Sequence, residues 1–304
     1  MKLNLKNIKV AVEITSLCNL SCNMCPYVFM KREKKHMELE TLKKIHKIIR
    51  ENSLKVRWLH EMGEPLLYPH LKEALHLFPE AMLSTNGILL EGERAKVVSE
   101  SNIRVVRICI DTLKEDAYKI LRKGGNFQRV IKNTKEFLET TKDKKIEVQI
   151  QKMYSKITKD EKIKDFEIFF EKEKYKNLKI IEKTCEGLDT TDETNLHKKY
   201  AGCFQGGPFN WFVFLSNGDI THCCYDYEGV QKIGNIDEPF ENVLQSPALE
   251  DLKKAFKCKN FDGFPACARC FKFRKETFTP PTFLFKFLKK VPFKNYFKKW
   301  FYKF

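Results

Sequence analysis

Long apolar runs are missing from this chain, and none reaches the eighteen or so residues that a membrane-spanning helix needs. The first dozen residues also lack an uninterrupted apolar core. Lysines stand at positions 2, 6 and 9 and Glu13 follows, so no secretory leader is expected. A disulfide framework is equally unexpected, because the eleven cysteines are odd in number and clustered rather than spread in pairs. These absences point to a reducing compartment, hence a cytoplasmic location, with thiols free to ligate metal. The 304 residues suffice for one large or two modest domains with a sizeable core.

Cys18, Cys22 and Cys25 are spaced C-x3-C-x2-C directly after an apolar, strand-like run at residues 10–14. Thiolates crowded on one short loop suit a soft metal centre, and three of them on a cubane [4Fe–4S] cluster leave one iron open to a cofactor. A structural zinc site, which wants four ligands, and unrelated buried thiols are the competing interpretations. Further strand-like runs at 56–59, 81–84, 105–110, 146–150 and 178–181 alternate with helical patterns such as 39–49, 71–78 and 166–170. Six such units joined by crossovers predict an α/β fold whose parallel sheet curls into part of a barrel. Reactive groups in barrels collect at the C-terminal strand ends, where the cysteine loop falls.

The wording Cys-Asn-Leu-x-Cys-x-Met-Cys-Pro at 18–26 closely resembles the radical S-adenosylmethionine (SAM) enzymes. The resemblance covers roughly residues 8–183 and implies a partial (β/α)6 TIM-like barrel. It also implies a [4Fe–4S] cluster on Cys18, Cys22 and Cys25, whose open iron chelates the amino and carboxylate groups of SAM. His60-Glu-Met-Gly-Glu-Pro resembles that family's Gly-Gly-Glu-Pro loop with Met62 in place of the first glycine. Gly63 and Glu64 would then offer acceptors to the SAM ammonium, which can only donate. Ser84-Thr-Asn-Gly87 matches the loop facing the methionyl and ribose groups, with Ser84 and Asn86 as contacts, although Asn-Gly alone is an ordinary turn. Asp111 closes a Cys-x-Asp where relatives often carry Ser-x-Asp. Arg122 could fork to the SAM carboxylate or simply cap a helix end at the surface. Met24 is expected against the adenine, and Cys109 is a departure that a small buried hydrophobe would explain.

In the second half, Cys203, Gly218 and Cys223 stand as C-x14-G-x4-C around a hairpin-like stretch whose Asn217-Gly218 suits a two-residue turn. With the pair Cys267 and Cys270 these make four thiols, enough for a second cubane or for a tetrahedral zinc. The arrangement resembles the SPASM/twitch extension behind many radical SAM barrels, which implies one auxiliary [4Fe–4S] cluster. Cys224 and Cys258 are extra thiols that could ligate, replace a named ligand or stay free, and Cys185 after the sixth strand could face substrate or line a loop. The expected organisation is a barrel at 1–183, a smaller cysteine-rich α+β extension at 184–279, and a basic aromatic tail at 280–304.

That tail carries seven lysines and no acid. As a helix it would set Phe293, Phe297, Trp300, Phe301 and Phe304 opposite its lysines, a pattern suited to an anionic membrane surface and so to peripheral attachment at the inner face. Packing on the barrel is the alternative, and nucleic acid is the less favoured partner. Of the chain's sixteen surplus positive charges nine lie outside the tail, a balance that suits acidic or phosphorylated substrates. Family resemblance further implies a reductant such as flavodoxin or ferredoxin, reductive cleavage of SAM to a 5′-deoxyadenosyl radical, and abstraction of a substrate hydrogen. An auxiliary cluster favours net oxidation. The chain starts close to its first strand, leaving no space there for the N-terminal peptide-recognition domain of many peptide modifiers. Together with the tail, this tilts expectation toward an oxidoreductase acting on a carbohydrate or glycolipid-pathway substrate. Maturation of a ribosomally made peptide is the second expectation, and a non-catalytic iron–sulfur or zinc scaffold at a membrane the third.

Overall fold

The computed structural model describes residues 3–184, 203 and 210–268. Within them β1 (Lys9–Val12), β2 (Lys55–Trp58), β3 (Met82–Thr85), β4 (Val105–Asp111), β5 (Glu147–Tyr154) and β6 (Leu178–Thr184) lie side by side in sequence order, every neighbouring pair parallel. The crossovers carry α1 (Leu39–Glu51), α2 (Leu71–Leu77), α3 (Gly92–Ser99), α4 (Glu115–Leu121), α5 (Phe127–Thr141) and α6 (Ile163–Phe169). This is the expected α/β architecture, a partial barrel whose parallel sheet does not close on itself among the described residues. Strand positions agree with the sequence reading. β1 ends two residues early, where Glu13 leaves the ladder, and β5 runs four residues further, to Tyr154.

Alternation sorts the side chains into two layers. Val10, Val12, Leu83, Val106, Ile108, Ile110, Val148 and Ile150 point outward into one large core shared with the helices. There α1 contributes Leu42, Ile45 and Ile49, spaced three and four apart on one face. α5 starts where the Asn126 side chain accepts from Arg129 N, an N-cap that satisfies one orphan donor. The intervening residues of the strands face inward, and the inner face at β1 is lined by a separate small cluster of Ala11, Val213 and Leu215 with Trp58, Trp211 and Cys224 packed on it.

The C-terminal segment continues the same sheet. β7 (Trp211–Phe214) pairs parallel with β1, and β8 (Asp219–Thr221) and β9 (Lys232–Asn235) follow antiparallel, giving the order β6-β5-β4-β3-β2-β1-β7-β8-β9. Gly218 makes the tight turn at φ +87°, a backbone region open to glycine at little cost. Three helices, α7 (Phe240–Leu244), α8 (Pro247–Cys258) and α9 (Pro265–Ala268), close this end. No helix of the described residues is long and apolar enough to cross a membrane. Cys185, Cys270 and the tail at 280–304 lie outside the described residues.

Candidate active site

The loop leaving β1 carries Cys18, Cys22 and Cys25, all with free thiols. Hydrogen bonds zip it to the end of α4, Ser21 N donating to Lys123 O at 3.0 Å and Asn23 N to Leu121 O at 3.1 Å. Tyr27 Oη accepts from Cys18 N at 3.1 Å, and Cys25 N donates to Cys22 O at 3.0 Å. The thiols feel one another. Burial pushes Cys18 up to about 12, and the charges of Glu64, Cys22 and Cys25 push the same way. Burial likewise raises Cys22 and Cys25, against the lowering influence of Arg122. Thiols this reluctant to ionise alone become ligands when a cluster supplies the positive charge, so the donor set fits an iron–sulfur centre. Among the described residues no three His, Cys, Asp or Glu side chains close on one point as a single ion would require. A cubane instead places each thiolate on a separate iron.

The loops after β2, β3 and β4 surround this one. Gly63 sits at φ +84°, and a Cβ there would lie 2.5 Å from Thr15 O and 2.8 Å from Leu17 O, so the backbone of the β2 loop is pressed against the cysteine loop. Glu64 N donates to Leu17 O at 2.8 Å. The Glu64 carboxylate, placed by sequence opposite a ligand ammonium, accepts from Thr85 Oγ1 at 2.6 Å, Asn86 N at 2.7 Å and Leu66 N at 3.1 Å. Three protein donors leave it little capacity for a ligand. Asn86 Nδ2 in turn donates to Asn19 Oδ1 at 2.8 Å, tying the β3 loop to the cysteine loop. Ser84 Oγ stands 3.3 Å from Cys109 Sγ on the inner face. Met24 is half-buried and packs against the main core.

Arg122 is the C-cap residue of α4, yet its side chain is 13% exposed and points inward, so the surface-cap alternative fails. Its guanidinium grips Asp111, Nε donating to Oδ2 at 2.6 Å, while Nη1 lies 3.7 Å from Cys22 Sγ. Asp111 is fully buried at φ 72° and also accepts from Gln151 Nε2 at 2.9 Å. The fork therefore finds its carboxylate within the chain and lays positive charge beside a thiol of the cysteine loop.

Sequence reasoning passed over several residues. Glu13, fully buried, accepts from both Arg32 Nη atoms, from Met62 N at 3.2 Å and from Ser216 N at 3.1 Å. Its signal was a lone carboxylate inside an apolar run. Glu61 has its carboxyl pushed well up by burial and then by the charges of Glu13 and Cys223, with Arg32 opposing. His222 is buried, its pKa lowered to about 4 by that burial, with Nε2 3.7 Å from Cys267 Sγ.

In the auxiliary region Cys203 and Cys267 pack on one small core with Leu252, Ala255 and Phe261. Gln231 Nε2 lies 3.4 Å from Cys267 Sγ, and Tyr225 N 3.4 Å from Cys223 Sγ. Asp226 accepts from Val230 N and Gln231 N and so closes the loop that carries Cys223. Soft sulfur donors beside buried polar atoms fit a second cluster. Cys224 packs on the inner-face cluster of Ala11, Val213 and Leu215, and Cys258 is exposed at the end of α8.

Among solved structures, BtrN in complex with AdoMet and 2-DOIA superposes with a TM-score of 0.57 at 16% identity, covering 89% of this chain and 94% of that one. Streptococcus suis SuiB bound to precursor peptide SuiA gives 0.60 at 17%, covering 83% and 67%. These likenesses speak for the fold alone. A GTP 3′,8-cyclase of Clostridium botulinum is 28% identical over 167 residues, 51% of this chain and 50% of that protein, so the chain spans about half the length of the curated relatives it matches. Residues 12–151 match the model of the radical SAM superfamily and residues 203–271 that of the SPASM iron–sulfur cluster-binding domain. The chain belongs to the radical SAM superfamily, and its cofactors are SAM, a [4Fe–4S] cluster and auxiliary iron–sulfur.

Proposed function

We propose that this radical SAM enzyme carries out the net oxidation of a small carbohydrate or glycolipid-pathway substrate held on the inner face of the barrel. One observation carries the reading. The auxiliary cysteine loop reaches the inner face of the barrel, because Cys224 packs on the Ala11, Val213 and Leu215 cluster on which Trp58 of β2 also packs. Cys18, Cys22 and Cys25 would hold the first cluster, and Cys203, Cys223, Cys267 and Cys270 the second. When bound, these groups supply one-electron cleavage of SAM, hydrogen abstraction by its 5′-deoxyadenosyl group, and an acceptor for the electron that the substrate gives up.

The chain's own residues position and dry this chemistry. Arg122 holds positive charge at Cys22, while Asp111, itself held by Gln151, fixes the guanidinium. Glu64 and Asn86 clamp the loops after β2 and β3 against the cysteine loop. An external one-electron donor of the flavodoxin or ferredoxin class is required. The basic aromatic tail at 280–304 supports a cytoplasmic protein attached to an anionic membrane face.

Reduced, reconstituted protein given a metabolite extract from cells grown on deuterated sugar should form deuterated 5′-deoxyadenosine with the small-molecule fraction. A Cys223→Ala, Cys267→Ala variant should still cleave SAM yet accumulate no oxidised product. Deuterium arriving only from the peptide fraction would move the assignment to peptide maturation, the reading that the SuiB likeness leaves second.

A further inference from the structure

Arg107, in the middle of β4, sets a positive charge on the inner face away from the cofactor loops. Its neighbours Val106 and Ile108 point outward into the main core, so alternation sets Arg107 inward. Register places it level with Ser84 on β3 and Gln149 on β5. Its guanidinium lies over the Trp58 ring, 4.6 Å from the centroid, and donates twice to Gln149 Oε1, from Nε at 3.1 Å and Nη2 at 2.9 Å. Of the five N–H donors of a guanidinium, three are therefore left without an acceptor among the described residues. No carboxylate pairs with it among the described residues. Glu147, the carboxylate whose charge acts on it, is committed to Lys179 and Gln149. Partly buried charge held only by a neutral amide and a ring is costly unless a counter-ion arrives.

Two further groups face the same place. His60 packs edge-on to Trp58 at 5.6 Å, and its Nδ1 is buried without a hydrogen-bond partner. Burial lowers His60 to about 3, and the positive charges of Lys183 and Arg107 act on it in the same direction, so both cations lie within its field. Lys183 stands on β6, whose alternate residues Leu178 and Ile180 pack outward.

We infer that Arg107, flanked by Trp58, His60 and Lys183, is the anion-binding group of the substrate site, taking a substrate carboxylate or phosphate on its Nη donors while His60 Nδ1 meets a neighbouring hydroxyl. The inference rests on reading the inner face as the substrate space. It excludes an uncharged sugar as the whole substrate and calls for one that bears an acid group.

Phenylglyoxal modification of the full-length reconstituted chain, mapped by peptide mass spectrometry, tests it with inorganic phosphate and malonate as the two probes at constant ionic strength. One or both anions should slow modification of Arg107 and leave that of Arg129, ion-paired to Glu91 at the surface, unchanged. Protection by phosphate alone selects a phosphorylated substrate, and protection by malonate alone a carboxylate. Arg107→Gln should weaken calorimetric binding of the protecting anion about tenfold or more, and Arg107→Lys should recover part of the loss. Should the glutamine variant fail to fold, protection in the unaltered chain and the lysine variant still decide the matter. Modification of Arg107 that neither anion slows, or unchanged binding in a folded Arg107→Gln, overturns the inference. None of these measurements needs SAM cleavage. Hence, 5′-deoxyadenosine formation alongside an unprotected Arg107 removes this inference alone.

Discussion

Arg32→Met should destabilise the protein far more than an average arginine substitution, because it strands Glu13. The Glu13 carboxylate is fully buried and the Arg32 side chain 10% exposed, with bidentate contact between them. Removing one partner of a buried pair typically costs ~3–5 kcal/mol, mostly the penalty of an uncompensated charge. Glu13 retains two backbone donors, Met62 N and Ser216 N, which places the expected cost near the lower end, ~3 kcal/mol. At roughly 2–4 °C per kcal/mol for a chain of this size, the midpoint of thermal unfolding should fall by about 6–12 °C. Anaerobic thermal melts of reconstituted protein followed by circular dichroism would measure it. Two comparisons guard the interpretation. Arg129→Met breaks an exposed ion pair with Glu91 and should change nothing measurable. The double variant Glu13→Gln, Arg32→Met removes the stranded charge and should regain most of the loss. If Arg32→Met melts like Arg129→Met, or the double variant is no better than the single, the pair is not the tie described here.

Iron and sulfide analysis should give about eight of each per chain, from two four-iron clusters. Changing Cys18, Cys22 and Cys25 together to Ala should halve the iron and abolish 5′-deoxyadenosine formation, and persistent formation would sink the cysteine-loop assignment. Gly63→Ala should lower SAM affinity and cleavage together, since its Cβ would stand 2.5 Å from Thr15 O and force the two loops apart; unchanged SAM binding by calorimetry would contradict that packing. His60 contributes a pH dependence of known sign. Its pKa is lowered from 6.5 to about 3, so the unfolded chain binds the proton first and the contribution, whole above pH 6.5, is lost as pH falls. The slope is at most about 1.4 kcal/mol per pH unit, and urea titrations of His60→Gln should show a shallower decline between pH 6.5 and 5. Truncation after Pro280 should release the protein from anionic vesicles without affecting SAM cleavage, and full-length protein that fails to co-sediment at low salt would refute the membrane role of the tail.

The sequence disclosed the parts of this protein that follow a period or a spacing. Buried parallel strands are short β-rich runs, so residues 105–110 were legible as β4, and the Asn217-Gly218 turn placed the β7–β8 hairpin. Two features were not legible. That β7 would pair with β1 depends on contacts between residues about 200 apart in the chain, for which local pattern carries no signal. The second is the destination of individual carboxylates. The motif wording sets Glu64 opposite a cofactor ammonium but carries no sign that its oxygens also accept from Thr85, Asn86 and Leu66. Glu13 served in the sequence only as an interruption of apolar residues, and its buried charge is intelligible once Arg32, Met62 and Ser216 are seen to converge on it.

Those carboxylates share a geometry that bears on how the site is held. Glu13 after β1 reaches Met62 in the β2 loop and Ser216 beyond β7. Glu64 after β2 reaches Thr85 and Asn86 at β3, and Asp111 at the end of β4 reaches Gln151 on β5. Glu161, after β5, accepts from Thr112 Oγ1 at 2.6 Å and Leu113 N at 2.7 Å in the β4 loop. Each buried acid therefore spans from one strand end to another, mostly through charge-assisted bonds that are shorter and about twice as strong as neutral ones. A rim sewn in this way keeps its loops in place without relying on cofactor contacts, and pre-formed loops lower the ordering entropy that binding must overcome. It also makes the rim cooperative. Replacing one acid leaves buried donors unpaired on a second loop as well as its own, so a defect at Glu64 reaches the cysteine loop through Asn86 and Asn19.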